Sequence, residues 1–396
     1  MDILGNTIIA AASLATAELG ARVWFSKVGR HWIWAPHAKV DHVLEPGVLP
    51  ELPPIARHRI NAWGERADPV PKDKRSFRVL VVGGSAAECY LVDQPQTWPH
   101  VVQQALNQPQ ALEQLGAPAA HVGNLGRSLV TCRHLDTMLD QVFPHYDKVD
   151  AVVFYVGASD VVHWLERGAP QSIEAEHLKP GQMWAQNPHG PYGLSPKSTA
   201  LWRALTIARR RLGGVEQRTH VGKRIAAARE MKARATNILR ECPDPTPMLN
   251  QFEDWFRSIV RRAAVRAPLV LVARQPWIEG AFTADEARAH CWSFARGKPF
   301  EGPVDAYWDY PVVWDLLRQV DASATRIAQE MGVGELDLRP VLPNDWTHWY
   351  DEIHCTPQGC RVIGEAVAAK LVQMRAARRA RGTPSHARRD QSAMPM

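Results

Sequence analysis

Cysteine is sparse and unpatterned. Cys89, Cys132, Cys242, Cys291, Cys355 and Cys360 are scattered over 396 residues with no C-x-x-C pair. That spacing argues against a zinc ribbon or a thioredoxin-type motif, and six is too few for a disulfide scaffold in a chain this long. Cys355 and Cys360 are near enough to pair, but free thiols are the expectation. No apolar run reaches the ~20 residues that a membrane span usually needs. The nearest is residues 3–19, interrupted by Asn6, Thr7, Thr16 and Glu18. No cation precedes it and no A-x-A site is clear, which fits a cleaved secretory signal poorly. A weak membrane anchor, a packed or amphipathic helix and a signal peptide remain open. Arg22, Lys27 and Arg30 follow the run, and the positive-inside rule would keep the rest of an anchored chain in the cytoplasm. The expected location is therefore membrane-associated, at a bacterial cell envelope or a cytoplasmic face. A strong charge of one sign is missing too. The formal charge is +6, but six arginines and one aspartate from Arg375 onward carry most of it. A nearly neutral body argues against nucleic acid as a partner. The basic end, 375–396, reads as a disordered, solvated tail. There is no internal repeat.

What is present is an alternation. Residues 35–76 hold seven prolines, from Pro36 to Pro71, a density that breaks helices and predicts an extended lead-in. Then Phe77–Gly83 (FRVLVVG), 150–157 (DAVVFYVG) and 268–274 (PLVLVAR) read as buried strands, with weaker ones at Ala120–Asn124 and 333–338. Helical spacing covers 97–106, 128–142, 247–267, 312–331 and 357–374, the last with Pro357 just inside its start. Apolar strands alternating with helices predict an α/β fold, a parallel sheet covered on both faces. The pattern lapses at about 160–241, where five prolines precede a cationic, helix-like stretch over 201–240. This insertion in the 77–374 domain reads as either a lid or ordinary covering helices. Residues 1–34 form the apolar N-terminal helix. Fifteen tryptophans are enough to supply both core and groove walls.

Four places fall at the C-terminal ends of predicted strands, the edge where open α/β sheets bind ligands. In Val82-Gly83-Gly84-Ser85-Ala86 the glycines permit a tight turn and place Ser85 at a helix N-terminus, exposed and beside backbone N–H groups. A simple helix cap is the alternative. Asn124-Leu125-Gly126-Arg127-Ser128 and Gly157-Ala158-Ser159-Asp160 can bring polar donors beside Ser85, or be loops bonded within themselves. In Tyr350-Asp351-Glu352-Ile353-His354 a carboxylate three residues before a histidine can reach its imidazole within one turn. It would fix the tautomer and stabilise the imidazolium as His354 takes the serine proton. Gln275-Pro276-Trp277 is a weaker candidate for a pocket wall. Cys89, one turn after Ser85, and Cys355 are weak alternative nucleophiles. His163 and His348 read as surface or rim residues.

Together these blocks resemble the SGNH (GDSL-type) hydrolase superfamily, in order and spacing from about Phe77 to Leu371. GGSAAECYLVDQPQTWP, VGNLGRSLVTCRHL, VVFYVGASD and YDEIHCTPQGCRVIGEAVA resemble its bacterial branch with a GGS first block. ATAELGARVWF is similar to the stretch after that branch's anchor. The resemblance implies a three-layer α/β/α, flavodoxin-like fold. It also implies a Ser85–His354–Asp351 triad and esterase-like activity on small acyl esters or an acylated glycan, with no metal or cofactor. A degenerate glycan-binding relative and an O-acyltransferase are the alternatives. Gly84 stands where the family has an aspartate, a usual variant of this branch, and two further departures matter. Leu129 stands where its second block has a glycine whose N–H serves the oxyanion hole, and leucine resists φ > 0. Ser159 stands where its third block has an asparagine side-chain donor. Loss of one such donor costs ~3 kcal/mol of transition-state stabilisation.

Overall fold

Five apolar runs make one parallel sheet. In this computed structural model, which describes residues 3–172, 178–185, 187–193 and 195–382, they are β1 (Phe77–Gly83), β2 (Ala120–Asn124), β3 (Ala151–Tyr155), β4 (Leu269–Arg274) and β5 (Gly334–Asp337). They lie in the order β5-β4-β3-β1-β2, each neighbouring pair parallel. Successive side chains of a strand point to opposite faces, and here both faces are apolar. Leu80 and Val82, Val152 and Phe154, and Val270 and Val272 enter one core. Val79 and Val81, Val153 and Tyr155, and Leu269 and Leu271 enter the other. Helices Cys132–Val142, Ala158–Glu166, Thr246–Arg266 and Tyr310–Glu330 cover the first face; Trp98–Leu106 and Pro357–Gly382 cover the second. The fold is therefore the expected three-layer α/β/α arrangement with a flavodoxin-like strand order. Its direction reverses between β1 and β3, which opens a crevice at their C-terminal ends.

Several local expectations need correction. The proline-rich lead-in carries two antiparallel strands, Lys39–Leu44 and Ile55–Arg59. The first pairs in parallel with Gln217–Val221 from the insertion. The 201–240 stretch is thus not one helical segment but helix Ala200–Leu212, that strand, helix Lys223–Ala233 and a short strand at Ile238–Leu239. Gly213 ends the first helix and Gly222, at φ +135°, precedes the second. The helix read over 128–142 begins only at Cys132. The basic tail does not begin at Arg375, because the last helix runs on to Gly382. Arg375 and Arg379 donate to the carbonyls of Leu115 and Gln114 at the end of helix Pro109–Leu115, where cations oppose the helix dipole. Residues 383–396 lie outside the described ones.

The N-terminal helix is Ile3–Val28, longer than its apolar run suggested. Ile3–Lys27 is long and apolar enough to cross a membrane by length and composition. Ile3, Leu4, Ile8, Ile9, Leu14 and Leu19 are all exposed. Only the later turns dock: Phe25 is buried against Ala200 and Ala204, and Glu18 accepts the Ala200 and Leu201 N–H groups at the start of the next helix.

Candidate active site

The β1 turn is shaped by what approaches it. A Cβ on Gly83 would lie 2.1 Å from the Tyr155 carbonyl oxygen, and one on Gly84 would lie 2.1 Å from Ser159 Oγ. At Gly83 the close atom is backbone, so only glycine fits; at Gly84 a side chain would require the Ser159 hydroxyl to turn away. The chain then makes a single helical turn, Ser85–Glu88, which ends at Cys89 in the left-handed region at φ +55°. Arg66, itself buried, closes the turn by donating to the Glu88, Cys89 and Val92 carbonyls. Ser85 is left half-buried at the crevice edge.

On the far side, Asp351 is fully buried. Its Oδ1 accepts the N–H groups of Ile353 at 2.8 Å and His354 at 2.7 Å. Its Oδ2 lies 2.7 Å from His354 Nδ1. A carboxylate only accepts, so Nδ1 carries the proton, and Nε2 is free to accept from Ser85 Oγ, 2.8 Å away. Burial of the imidazole lowers its pKa, but the charge and hydrogen bond of Asp351 outweigh that and hold it above the ordinary histidine value. A hydroxyl, an imidazole and a carboxylate in this order can transfer the serine proton while the carboxylate stabilises the imidazolium.

The second loop is bolted to the nucleophile turn. Asn124 Nδ2 donates to the Ala87 carbonyl at 2.8 Å and Asn124 Oδ1 accepts the Gly126 N–H at 2.8 Å. Asn124 therefore spends its side chain on joining the loop to the nucleophile turn, and the Gly126 N–H is used within the loop. A Cβ on Gly126 would meet Glu88 N at 2.5 Å, so the close approach requires glycine. Leu129 follows at φ +65°, 55% exposed, in the backbone conformation that favours the family's glycine. Among the described residues its N–H makes no hydrogen bond. Ser159 sits in the first turn of helix Ala158–Glu166 beside Gly84. Leu129 and Ser159 thus flank the turn that carries Ser85.

Sequence reasoning missed Glu88. It is fully buried, one turn after Ser85, and accepts the Ser128 N–H. Burial raises its pKa, and the Ser128 bonds and Arg66 offset this only in part. Its spacing from Ser85 was the available signal. Arg127 and Trp34 were also missed. Arg127 donates to the carbonyls of Ile33, Gly181 and Gln182, and Trp34 Nε1 donates to the Gly126 carbonyl at 3.2 Å. None of the weaker candidates takes part in the Ser85–His354–Asp351 hydrogen bonds. Trp277 packs in the core and bonds Glu279, and His348 bonds Asp345. His163 lies on helix Ala158–Glu166, and Cys89 and Cys355 are buried free thiols.

No protein-family model matches the chain, and no curated protein matches it. Solved structures do resemble its fold. An acetylxylan esterase from Geobacillus stearothermophilus is 13% identical, covering 76% of this chain and 96% of its own, at a TM-score of 0.38. A member of the lipolytic protein G-D-S-L family from Veillonella parvula is 9% identical, covering 75% and 97%, at 0.37. An α/β hydrolase from the metagenome of Lake Arreo, Spain, is 14% identical, covering 74% and 94%, at 0.37. At TM-scores below 0.5, these likenesses decide neither activity nor substrate.

Proposed function

We propose that the protein is a serine esterase. The observation that supports this is the continuous relay from Ser85 Oγ through His354 to buried Asp351, at 2.8 and 2.7 Å. In the proposed reaction Ser85 Oγ attacks the ester carbonyl carbon while His354 Nε2 takes its proton. The C=O electrons move onto oxygen, and the N–H groups of Ser85 and Leu129 with the Ser159 hydroxyl are the donors for that charge. Collapse expels the alcohol, which takes the proton from His354. Water then attacks the acyl-enzyme by the same relay and releases the acid. No metal enters these steps. The proposed substrate is a small acyl ester, carried on a glycan. The proposed location is a membrane face, held there by Ile3–Lys27, whose exposed apolar surface has no other partner among the described residues.

A second reading, glycan binding without turnover, draws on Leu129 and Ser159 in the two altered positions. Labelling with a fluorophosphonate probe separates the two readings. The esterase is labelled in the wild type and unlabelled as Ser85→Ala. A folded wild type that resists the probe would leave only the binding protein.

A further inference from the structure

Helix Lys223–Ala233 lies in the insertion, yet two residues on one of its faces reach the turn that carries Asp351 and His354. Lys232 Nζ is 2.9 Å from Glu352 Oε1. It also donates to the Ser293 carbonyl at 2.9 Å and sits over the rings of Tyr310, Tyr307 and Phe294, at 4.4, 5.6 and 5.7 Å. Glu352 is fully buried. Its Oε1 also accepts the Ser293 N–H at 3.1 Å and the Tyr310 hydroxyl at 3.2 Å, while its backbone carbonyl accepts the Ile278 N–H at 3.2 Å. Three residues before Lys232, Arg229 lies over Trp292 at 4.9 Å. Trp292 stacks on Tyr350 at 6.2 Å, and Tyr350 stacks on the His354 imidazole at 5.6 Å, the latter pair only 6° from parallel. Positions i and i+3 share a helix face, so one face carries both the cation that pairs with Glu352 and the one that reaches Tyr350 by way of Trp292.

We propose that this helix clamps the acid–base turn, with Lys232 as a positioning residue that holds Glu352 and, through it, the Asp351–His354 pair. The inference rests on the esterase reading. The turn needs such support. Glu352 lies between Asp351 and the histidine whose nitrogen must meet Ser85 within hydrogen-bond reach, and it is a buried carboxylate. A buried charge persists only when paired, so Lys232 keeps the side chain inward and ionised. Burial acts to raise the Glu352 pKa, but Lys232, together with backbone N–H groups including that of Ser293, more than offsets this and holds it low. The chain leading to helix Lys223–Ala233 pairs with Lys39–Leu44 and the chain after it with Ala306–Trp308. It is therefore tied down on both sides, as a clamp requires and a swinging lid does not.

The test uses the full chain and p-nitrophenyl acetate. Lys232→Met is expected to lower kcat by ~10²-fold, the scale of an ångström-level misplacement, with KM within about twofold of the wild type. The low-field proton resonance of His354 Nδ1–H should shift or vanish at neutral pH, which a loss of general stability alone does not cause in folded protein. Glu352→Gln keeps the side-chain shape and serves where Lys232→Met does not fold. It should show the same split. In the double variant the losses should not multiply, because Lys232 acts through Glu352. Folded single variants with wild-type kcat and an unchanged proton resonance would overturn the clamp while leaving the esterase reading intact. Multiplying losses would overturn the route through Glu352. A wild type that neither hydrolyses the ester nor takes a fluorophosphonate removes the esterase reading, and the clamp with it.

Discussion

Glu88 and Ser85 share one helical turn, and the carboxylate of the first holds the Ser128 N–H of the neighbouring loop. The segment that presents the hydroxyl therefore also sets the backbone that leads into Leu129. Removing the carboxylate should disturb both. Glu88→Ala leaves the half-buried Ser128 N–H without its acceptor, at a cost of about 1 kcal/mol, and should lower kcat more than it raises KM. Glu88→Gln retains an acceptor oxygen and should recover most of the rate. Steady-state kinetics with a thermal melt check this. Equal kcat for Glu88→Ala and the wild type would mean that the loop is set by other contacts.

Asp351→Asn should preserve the fold and lose the reaction. The amide oxygen can still accept the Ile353 and His354 N–H groups, but its NH2 faces Nδ1 and favours the wrong tautomer. A loss of ~10⁴ in kcat is the scale expected for that change. Ser85→Ala should abolish acyl-enzyme formation. Burst kinetics on a p-nitrophenyl ester distinguish the two, and a surviving burst in Ser85→Ala would remove this serine from the mechanism.

His354 must be neutral to act as a base. Burial alone would lower its pKa, but Asp351 raises it overall. The acid limb of kcat/KM should therefore lie above the ordinary histidine value of about 6.5, with activity rising as pH rises through it. The stability linkage runs the other way. A raised histidine pKa stabilises the folded state fully below the unfolded value, and that increment is lost as pH rises through the folded one. A pH–rate profile with its acid limb below the ordinary value would contradict the pairing.

Ser159 and Leu129 call for opposite changes. Ser159→Ala removes a hydroxyl donor and should cost ~10²-fold in kcat if that donor meets the oxyanion. Leu129→Gly relieves a non-glycine residue at positive φ, a strain of about 1–2 kcal/mol, partly offset by glycine's greater unfolded-state entropy. A stability gain of up to about 1 kcal/mol is expected by chemical denaturation. A loss of that size would show that leucine packing matters more than backbone strain.

A chain beginning at Gly29 should leave the membrane fraction while the full chain stays in it. Gly29 is a better boundary than one nearer Val40, because Ile33 and Trp34 are bonded to the second loop. Fractionation in low salt without detergent decides this, and equal partitioning of both chains would count against an anchor.

The central sheet was legible because parallel strands buried on both faces read as unbroken apolar runs, as in FRVLVVG and AVVFY. The meeting of Ser85, Asp351 and His354 was legible for a different reason. Asp351 and His354 find each other within one local turn, and Ser85 is marked by the two glycines before it. Other features depended on distant partners. Gln217–Val221 is a polar, largely exposed strand whose pairing partner, Lys39–Leu44, lies far back in the chain. The helix beyond Arg375 is held by carbonyls of residues 114 and 115. Leu129 gave the opposite signal to its conformation, because leucine disfavours the positive φ that the loop imposes. Glu88 could be placed one turn from Ser85, but its acceptor role depends on a loop some forty positions later.

Trp34 touches the Gly126 carbonyl only six residues after the N-terminal helix ends at Val28. Six residues reach at most about 20 Å. A protein fastened to a bilayer by that helix has a short working radius. On the proposed esterase reading its crevice would not sweep through the surrounding solution, and an ester would have to be carried to the membrane surface, or be made there, before it could be cut.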